Sequence, residues 1–146
     1  MNYSKSPLFG LTRKRDLNNL IKVKTKNNNK YNLQYKPYIE KKPKKRLIEA
    51  PKYNIKMVQK KIKRYLDCID YPSNVFSGIK GRSYIDNAYF HIKSNYFLKM
   101  DMSKFFPNTS REKIFNFYNK KMKIATDVAA ILTDLSSVNI TNMMSS

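Results

Sequence analysis

One acidic residue lies near the end of a segment whose pattern predicts a β-strand. Residues 96–102 read Tyr-Phe-Leu-Lys-Met-Asp-Met, and this alternation predicts a strand with two different faces. The face predicted to enter the core carries Tyr96, Leu98, Met100 and Met102. Asp101 lies late in the strand on the other face, with Phe97 and Lys99. A carboxylate there offers the hard oxygen ligands that Mg²⁺ prefers, and the alternative is a lone Asp that binds nothing.

Other kinds of chemistry are excluded by residue counts. The sequence holds one Cys, Cys68, which excludes an internal disulfide and a zinc site built on several thiolates. It holds one His, His91, so a His-rich metal cage is excluded too. Only three Gly argue against a glycine-rich phosphate loop. We expect His91 to be structural and Cys68 to be a small buried hydrophobic residue.

Positive charge dominates the chain and is concentrated in its first half. The 146 residues include 30 Lys and Arg against 10 Asp and Glu, a net charge of +20. Residues 1–64 hold 20 basic and 3 acidic residues, a net of +17, and residues 65–146 hold 10 and 7, a net of +3. Such an excess favours a polyanionic partner, chiefly nucleic acid and less readily an anionic membrane surface. The alternative is a solvated Lys-rich face. The basic half also carries aromatic rings that suit unstacked bases, namely Tyr31, Tyr35, Tyr38, Tyr53 and Tyr65.

Targeting and membrane signals are absent from the sequence. The first residues contain no apolar segment followed by a small-residue cleavage site. No apolar run approaches the roughly 20 residues that span a bilayer. We therefore expect a cytoplasmic protein with no membrane partner.

The first half predicts a lead, a helix, a basic hairpin and a second helix. Residues 1–12 are predicted to be a loose lead, and residues 13–26 a short basic helix. An extended segment over 31–41 and a returning strand over 46–50, ended by Pro51, predict a hairpin whose tip is Lys41-Lys42-Pro43-Lys44-Lys45.

Residues 54–69 predict an amphipathic helix capped by Asn54 and ended by Pro72. Its apolar stripe is Ile55, Val58, Ile62, Leu66 and Ile69, and its opposite face carries Lys56, Lys60, Lys63 and Arg64.

The second half predicts a loop and three further helices. Gly78 and Gly81 bracket a loop that holds Lys80 and Arg82. Ser83 and Asp86 have the spacing of a capping box, and the helix that follows has Ile85, Ala88 and Ile92 on one face. Ser110 and Thr126 are predicted to cap two more helices, and residues 136–146 lose all periodicity.

In this order, the segments resemble bacterial reverse transcriptases of the retron and group II intron type. The matching pieces, spread over about residues 31–135, are Tyr38 to Lys42, Lys45 to Pro51, Val58-Gln59, Phe76 to Ser83, Asn87-Ala88, His91, and Leu98 to Pro107. The resemblance implies an α+β fold: the fingers and the first part of the palm of a right-hand polymerase. It divides the chain into a basic lead and helix (1–30), a fingers-like region (31–95), the first part of the palm (96–135) and a tail unlike the family (136–146).

The resemblance also implies roles for individual residues. Asp101 would be the first catalytic carboxylate and bind Mg²⁺, and the backbone carbonyl of Met102 would help to hold a second ion. Phe106 would lie under the incoming sugar and favour deoxynucleotides, whereas Phe105 is expected in the core. Lys45 and Arg46 would bind the triphosphate of the incoming nucleotide. The template and primer backbone would be contacted by Lys41, Lys42, Lys60, Lys80 and Arg82.

One required part of the family's active site is missing from this sequence. The family uses two further adjacent Asp in a Tyr-x-Asp-Asp hairpin, and the chain has no Asp-Asp pair. We therefore expect this chain alone not to polymerise; it would be a natural truncation, a frameshift product or one piece of a split enzyme whose partner is the missing C-terminal portion.

The nucleic-acid partners implied are an RNA template, an RNA/DNA primer duplex and a dedicated noncoding RNA. The competing hypothesis is a non-catalytic RNA-binding module, which needs only the basic half and its tyrosines. Retron, diversity-generating, intron-mobility and phage-defence roles all remain open at this point.

Overall fold

The computed structural model describes residues 1–22, 35–40 and 46–137. The strands are β1 (Tyr35–Glu40) and β2 (Arg46–Pro51), and the helices are α1 (Lys14–Ile21), α2 (Tyr53–Leu66), α3 (Tyr84–Phe90), α4 (Phe105–Asn108), α5 (Arg111–Asn116) and α6 (Thr126–Ser136). A π-helical segment, Phe117–Lys121, continues α5. The described part is therefore rich in helix, with one two-stranded sheet.

The hydrophobic core is formed by α1, α2, the π-helical segment and α6. The predicted stripe of α2 is confirmed, because Ile55, Val58 and Ile62 are buried. Polar side chains tie neighbouring helices together at the edge of this core: the Tyr65 hydroxyl donates to the Leu20 carbonyl at 2.8 Å and the Gln59 amide to the Leu135 carbonyl at 3.0 Å. The buried residues from the other elements include Leu17, Ile21, Tyr118, Met122, Ile124, Val128, Ala129, Leu132 and Leu135.

The first residues are part of this core, so the prediction of a loose lead is wrong. Leu8 is fully buried and Ser6 nearly so. The Gly10 amide donates to the Met122 carbonyl at 2.9 Å, and the Ala125 amide donates to the Leu11 carbonyl at 2.8 Å. The lead has no helical or strand periodicity, so its burial follows from hydrogen bonds and contacts with distant segments that a local pattern does not reveal.

A second anchor joins the start of the chain to the segment after α2. The backbones of Asn2 and Asp70 exchange two hydrogen bonds, each of 3.1 Å. The Lys5 ammonium lies 2.7 Å from the Asp70 carboxylate. The first residues are therefore held at both the α2 end and the α6 end of the core.

The predicted hairpin is confirmed where the structure describes it. β1 and β2 pair antiparallel, from Tyr35 opposite Pro51 to Glu40 opposite Arg46. The predicted tip, residues 41–45, and the start of the extended segment, residues 31–34, lie outside the described residues.

The ends of three helices differ from the predictions. α2 begins after Lys52 rather than Asn54, and it ends at Leu66, well before Pro72. Ile69 is nevertheless buried beyond the helix end. α6 has Ala125 rather than Thr126 at its N-cap position, where the Ala125 amide is already paired with Leu11. α1 is confirmed over Lys14–Ile21 but ends there, because the backbone of Lys22 is no longer helical, and residues 23–26 lie outside the described residues.

Residues 96–102 do not form the predicted strand. The side chains predicted to enter the core are exposed instead: Tyr96 92%, Leu98 84%, Met100 81% and Met102 66%. A strand needs a neighbour that satisfies its backbone groups, and no described residue pairs with this segment. Ile85 and Ile92 of the preceding helical region are also largely exposed. The alternation is real, but the described part of the chain offers nothing to cover it.

None of the described helices is long and apolar enough to cross a bilayer.

Replacing Leu8 by Ala tests whether the first residues are part of the core. We expect Leu8→Ala to lower the free energy of unfolding by about 2–5 kcal/mol, because it leaves a cavity at a fully buried position. Urea denaturation followed by circular dichroism measures the change. The matched control is Leu11→Ala at a partly buried position, with a smaller expected loss. Equal stability of Leu8→Ala and the native chain would show that the lead is detached.

Candidate nucleic-acid interface

An arginine holds the loop between α2 and α3 in shape. The Arg82 guanidinium donates to the Pro72 carbonyl at 2.6 Å and the Ser73 carbonyl at 3.4 Å, and it also bonds the Val75 carbonyl. Gly78 and Gly81 have φ of +74° and +82°, where residues with a Cβ are strained. The role of Arg82 in nucleic-acid binding stays a prediction, but one terminal nitrogen of its guanidinium already donates to three carbonyls of its own loop.

A groove of about 460 Å³ separates this loop from the last turn of α2. Its lining residues are Lys63, Asp67, Tyr71, Gly78, Ile79 and Lys80. The Lys63 ammonium lies 2.7 and 2.9 Å from the two Asp67 carboxylate oxygens. The groove therefore combines two cations, one carboxylate and one aromatic ring.

The outer face of α2 continues the positive charge away from the groove. Lys56, Lys60, Lys63 and Arg64 are all exposed there. Residues three or four apart on a helix are surface neighbours, so these cations form a continuous basic face. Two of the predicted nucleic-acid contacts are exposed: Lys60 lies on this face of α2, and Lys80 lies on the loop between α2 and α3.

The predicted capping box at the start of α3 is confirmed. The Ser83 amide and hydroxyl donate to the Asp86 carboxylate at 2.6 and 2.7 Å, and the Asp86 amide donates to the Ser83 hydroxyl at 3.1 Å. The bond from the Ser83 hydroxyl, and after it the bond from the Ser83 amide, lower the pKa of Asp86 below its ordinary 3.8. The box fixes the point where the Arg82 loop ends and α3 begins.

His91 lies at the C-cap of α3 among aromatic rings. Its ring centroid is 5.1 Å from that of Phe90 and 6.5 Å from that of Phe97, both edge-on. Phe90 in turn contacts Phe76 at 5.5 Å. His91 is itself exposed, so its structural role stays a prediction.

The predicted catalytic and sugar-binding residues lie on the exposed segment after α3. Asp101 is exposed, and the described residues contain no group of three or more His, Cys, Asp or Glu that could hold a metal ion. Phe106 is 85% exposed, and its ring centroid lies 5.3 Å from that of Phe105. Phe105 is itself 50% exposed, so its predicted place in the core is wrong.

Three of the predicted phosphate contacts cannot be placed. Lys41, Lys42 and Lys45 lie outside the described residues. Arg46 begins β2, but only its backbone is described. Their roles stay predictions.

Cys68 is exposed, so the prediction that it is buried is wrong. Its thiol donates to the Arg64 carbonyl at 3.4 Å. Because α2 ends at Leu66, Cys68 does not continue the helical stripe that the prediction extended to Ile69.

Sequence reasoning placed Lys63 on the outer face of α2 but missed the groove, with Asp67 and Tyr71. The available signal was the Lys63 and Asp67 spacing of four, which puts the two side chains together on a helix. The approach of the loop to α2 has no signal in the local pattern.

The capping box predicts a pH dependence at the start of α3. A pKa held below its ordinary value means that the stabilisation is present above about pH 4 and is lost as the pH falls through the folded-state pKa. We expect the carboxyl carbon of Asp86, followed by NMR, to titrate below 3.8 in the native chain. It should titrate nearer 3.8 in Ser83→Ala and as in the native chain in the control Ser77→Ala. An unchanged titration in Ser83→Ala would contradict the hydrogen-bonding cause.

Comparison with known proteins gives one informative relative. No protein-family model matches the chain, and no solved structure matches it. The chain is 34% identical over 107 residues to the retron Se72 reverse transcriptase of Salmonella heidelberg (strain 579083-10). The match covers 73% of this chain and 28% of the relative, so the chain spans less than a third of that protein's length. The match confirms the resemblance seen in the motifs: over these 107 residues the chain belongs to the retron-type reverse transcriptases.

Proposed function

We propose that this chain is the nucleic-acid-binding front part of an RNA-directed DNA polymerase, comprising fingers and the start of a palm. The observation that carries the proposal is its 34% identity over 107 residues to a retron reverse transcriptase. The strong positive charge, +20 over 146 residues, supports nucleic acid as the partner. An RNA template, a primer duplex and a dedicated noncoding RNA are the partners we propose.

The basic face of α2 supports this proposal physically. Lys56, Lys60, Lys63 and Arg64 are exposed side by side, and Asp67 is the acid that follows them. The ion pair of Lys63 with Asp67 is exposed on both sides, and such pairs contribute only about 0.3–0.5 kcal/mol. The cations are therefore free to exchange their partners for phosphates.

Asp101 is the carboxylate that we propose for catalysis in the complete enzyme. The described residues do not form a metal site by themselves, and the sequence contains no adjacent Asp pair. One carboxylate cannot organise two ions. The chain alone is therefore proposed to be inactive, with the other carboxylates coming from a separate part of a polymerase.

Two neighbours of Asp101 complete the proposed nucleotide site. The exposed ring of Phe106 is available to pack against a sugar, where it would collide with a 2′-hydroxyl and favour deoxynucleotides. The Met102 carbonyl lies one residue from Asp101 and can accept a second cation only when the rest of the site is present.

RNA binding by the chain is expected to weaken steeply with salt. Each neutralised phosphate of a single strand releases counterions, and the logarithm of the affinity falls with slope about −0.7 per contact. Fluorescence anisotropy with a labelled single-stranded RNA between 50 and 300 mM KCl, a range of about sixfold in salt, measures the slope. A slope near zero would overturn nucleic-acid binding.

Primer extension tests the catalytic part of the proposal. With an RNA template, a DNA primer, deoxynucleotides and Mg²⁺, we expect no product from the chain alone. Product that disappears in Asp101→Ala but persists in the control Glu112→Ala would support Asp101 and contradict the inactivity of the chain. Product that survives in Asp101→Ala would contradict the role of Asp101. RNA binding should tolerate Asp101→Asn, because the exposed carboxylate is not a binding contact.

A further inference from the structure

The groove between α2 and the loop before α3 has the composition of a phosphate-binding site. We propose that it holds the sugar–phosphate backbone of a single-stranded nucleic acid, with Lys63 and Lys80 as the phosphate contacts and Asp67 as a built-in competitor for Lys63. The proposal rests on nucleic-acid binding by the chain and assigns it to a place. In this proposal Arg82 is a positioning residue rather than a contact of the nucleic-acid backbone.

The two lysines line the groove from two different segments of the chain. Lys63 stands on the last turn of α2, and Lys80 stands on the loop between Gly78 and Gly81. A phosphate between them would meet a cation on each side, and a volume of about 460 Å³ has room for a nucleotide unit. The half-buried Tyr71 provides an aromatic surface in the same groove for the attached sugar or base.

Asp67 occupies Lys63 when no ligand is bound. Its carboxylate lies 2.7 Å from the Lys63 ammonium, yet the two side chains are 49% and 69% exposed. An ion pair this exposed is weak, so a phosphate can replace the carboxylate at Lys63. The displaced Asp67 still repels the phosphate, because it lines the same groove.

The surrounding charges favour an anion despite Asp67. Lys60 and Arg64 flank Lys63 on the exposed face of α2. The next acid along the chain, Asp70, is paired with Lys5 at 2.7 Å and does not line the groove. Cations thus outnumber carboxylates on the α2 side of the groove.

Arg82 acts on this groove through the loop. Its guanidinium donates to three carbonyls, those of Pro72, Ser73 and Val75, which fixes the first half of the loop against its end. Lys80 lies two residues before Arg82, so the same bonds hold Lys80 opposite α2. The three bonds come from one terminal nitrogen of a rigid planar group, and the compact ammonium on the flexible stem of a lysine keeps the charge without holding that position.

Salt-dependent binding of a labelled single-stranded RNA by matched variants tests the groove. We expect Lys63→Gln/Lys80→Gln to weaken binding and to reduce the salt slope by about 1.4, the value for two lost phosphate contacts. Asp67→Asn should tighten binding about threefold to fivefold at low salt, because it removes a charge about 4 Å from the phosphate. The control Lys120→Gln/Lys121→Gln removes the same charge from exposed positions of the π-helical segment and should leave the slope within about 0.3 of the native value.

Arg82→Lys separates a positioning residue from a direct contact. If Arg82 positions the loop, Arg82→Lys lowers the salt slope by about 0.7, the value for the single Lys80 contact, although the charge is kept. It should also add no further loss when combined with Lys63→Gln/Lys80→Gln, since that double variant already lacks the Lys80 contact. An unchanged slope in Arg82→Lys, or a full additional loss in the combined variant, would overturn the positioning role. Circular dichroism checks that each variant is folded.

Four results would overturn the proposal or one of its parts. A native slope in Lys63→Gln/Lys80→Gln rejects the groove while leaving nucleic-acid binding intact, whereas a native chain with no salt dependence rejects the binding function as well. Equal or weaker binding by Asp67→Asn rejects the competitor role. Displacement of the RNA by micromolar inorganic tripolyphosphate, dependent on Lys63 and Lys80, would identify a nucleotide triphosphate rather than a nucleic-acid backbone as the ligand.

Discussion

The arrangement of the described chain depends on the packing of a few apolar side chains from its first 21 residues in one core with α2 and α6. Leu8, Leu17 and Ile21 are fully buried and complete the core that the two longer helices begin. This burial decides which side of α2 faces inward. Because the apolar stripe is held by the core, the lysine face must point to solvent. The Asn2 and Asp70 backbone pair then fixes the start of the segment that leads from α2 to the groove loop.

The parts of the fold that could be predicted are those whose signal is local. The stripe of α2 repeats with the helical period, and Ser83 with Asp86 has the spacing of a capping box; both predictions are confirmed. The lead could not be predicted, since its place is set by hydrogen bonds to Met122 and Ala125 more than a hundred residues away. Residues 96–102 carry a clear strand pattern, but a strand exists only with a neighbour.

In the candidate site, too, some residues could be predicted from the sequence and others could not. Asp101 and Phe106 could be named from the motifs, yet they lie in the segment that the described core does not cover, and their roles depend on surroundings that these residues do not supply. The groove could not be predicted, because it forms where a loop, held by Arg82 through carbonyls seven to ten residues back, lies next to the last turn of α2. The basic face of α2 is exposed, as its helical pattern predicts. Family membership and surface charge can thus be predicted from the sequence. The position of the groove cannot, because it depends on contacts between segments that are distant in the chain.

The exposed Cys68 gives this chain a convenient property. It is the only cysteine in the sequence, it is exposed, and it follows directly on Asp67, which lines the groove. A maleimide dye attached there would sit beside the proposed ligand without any other thiol having to be removed. The native protein therefore carries its own attachment point for an environment-sensitive fluorophore, and occupancy of the groove can be followed optically in the chain as it stands.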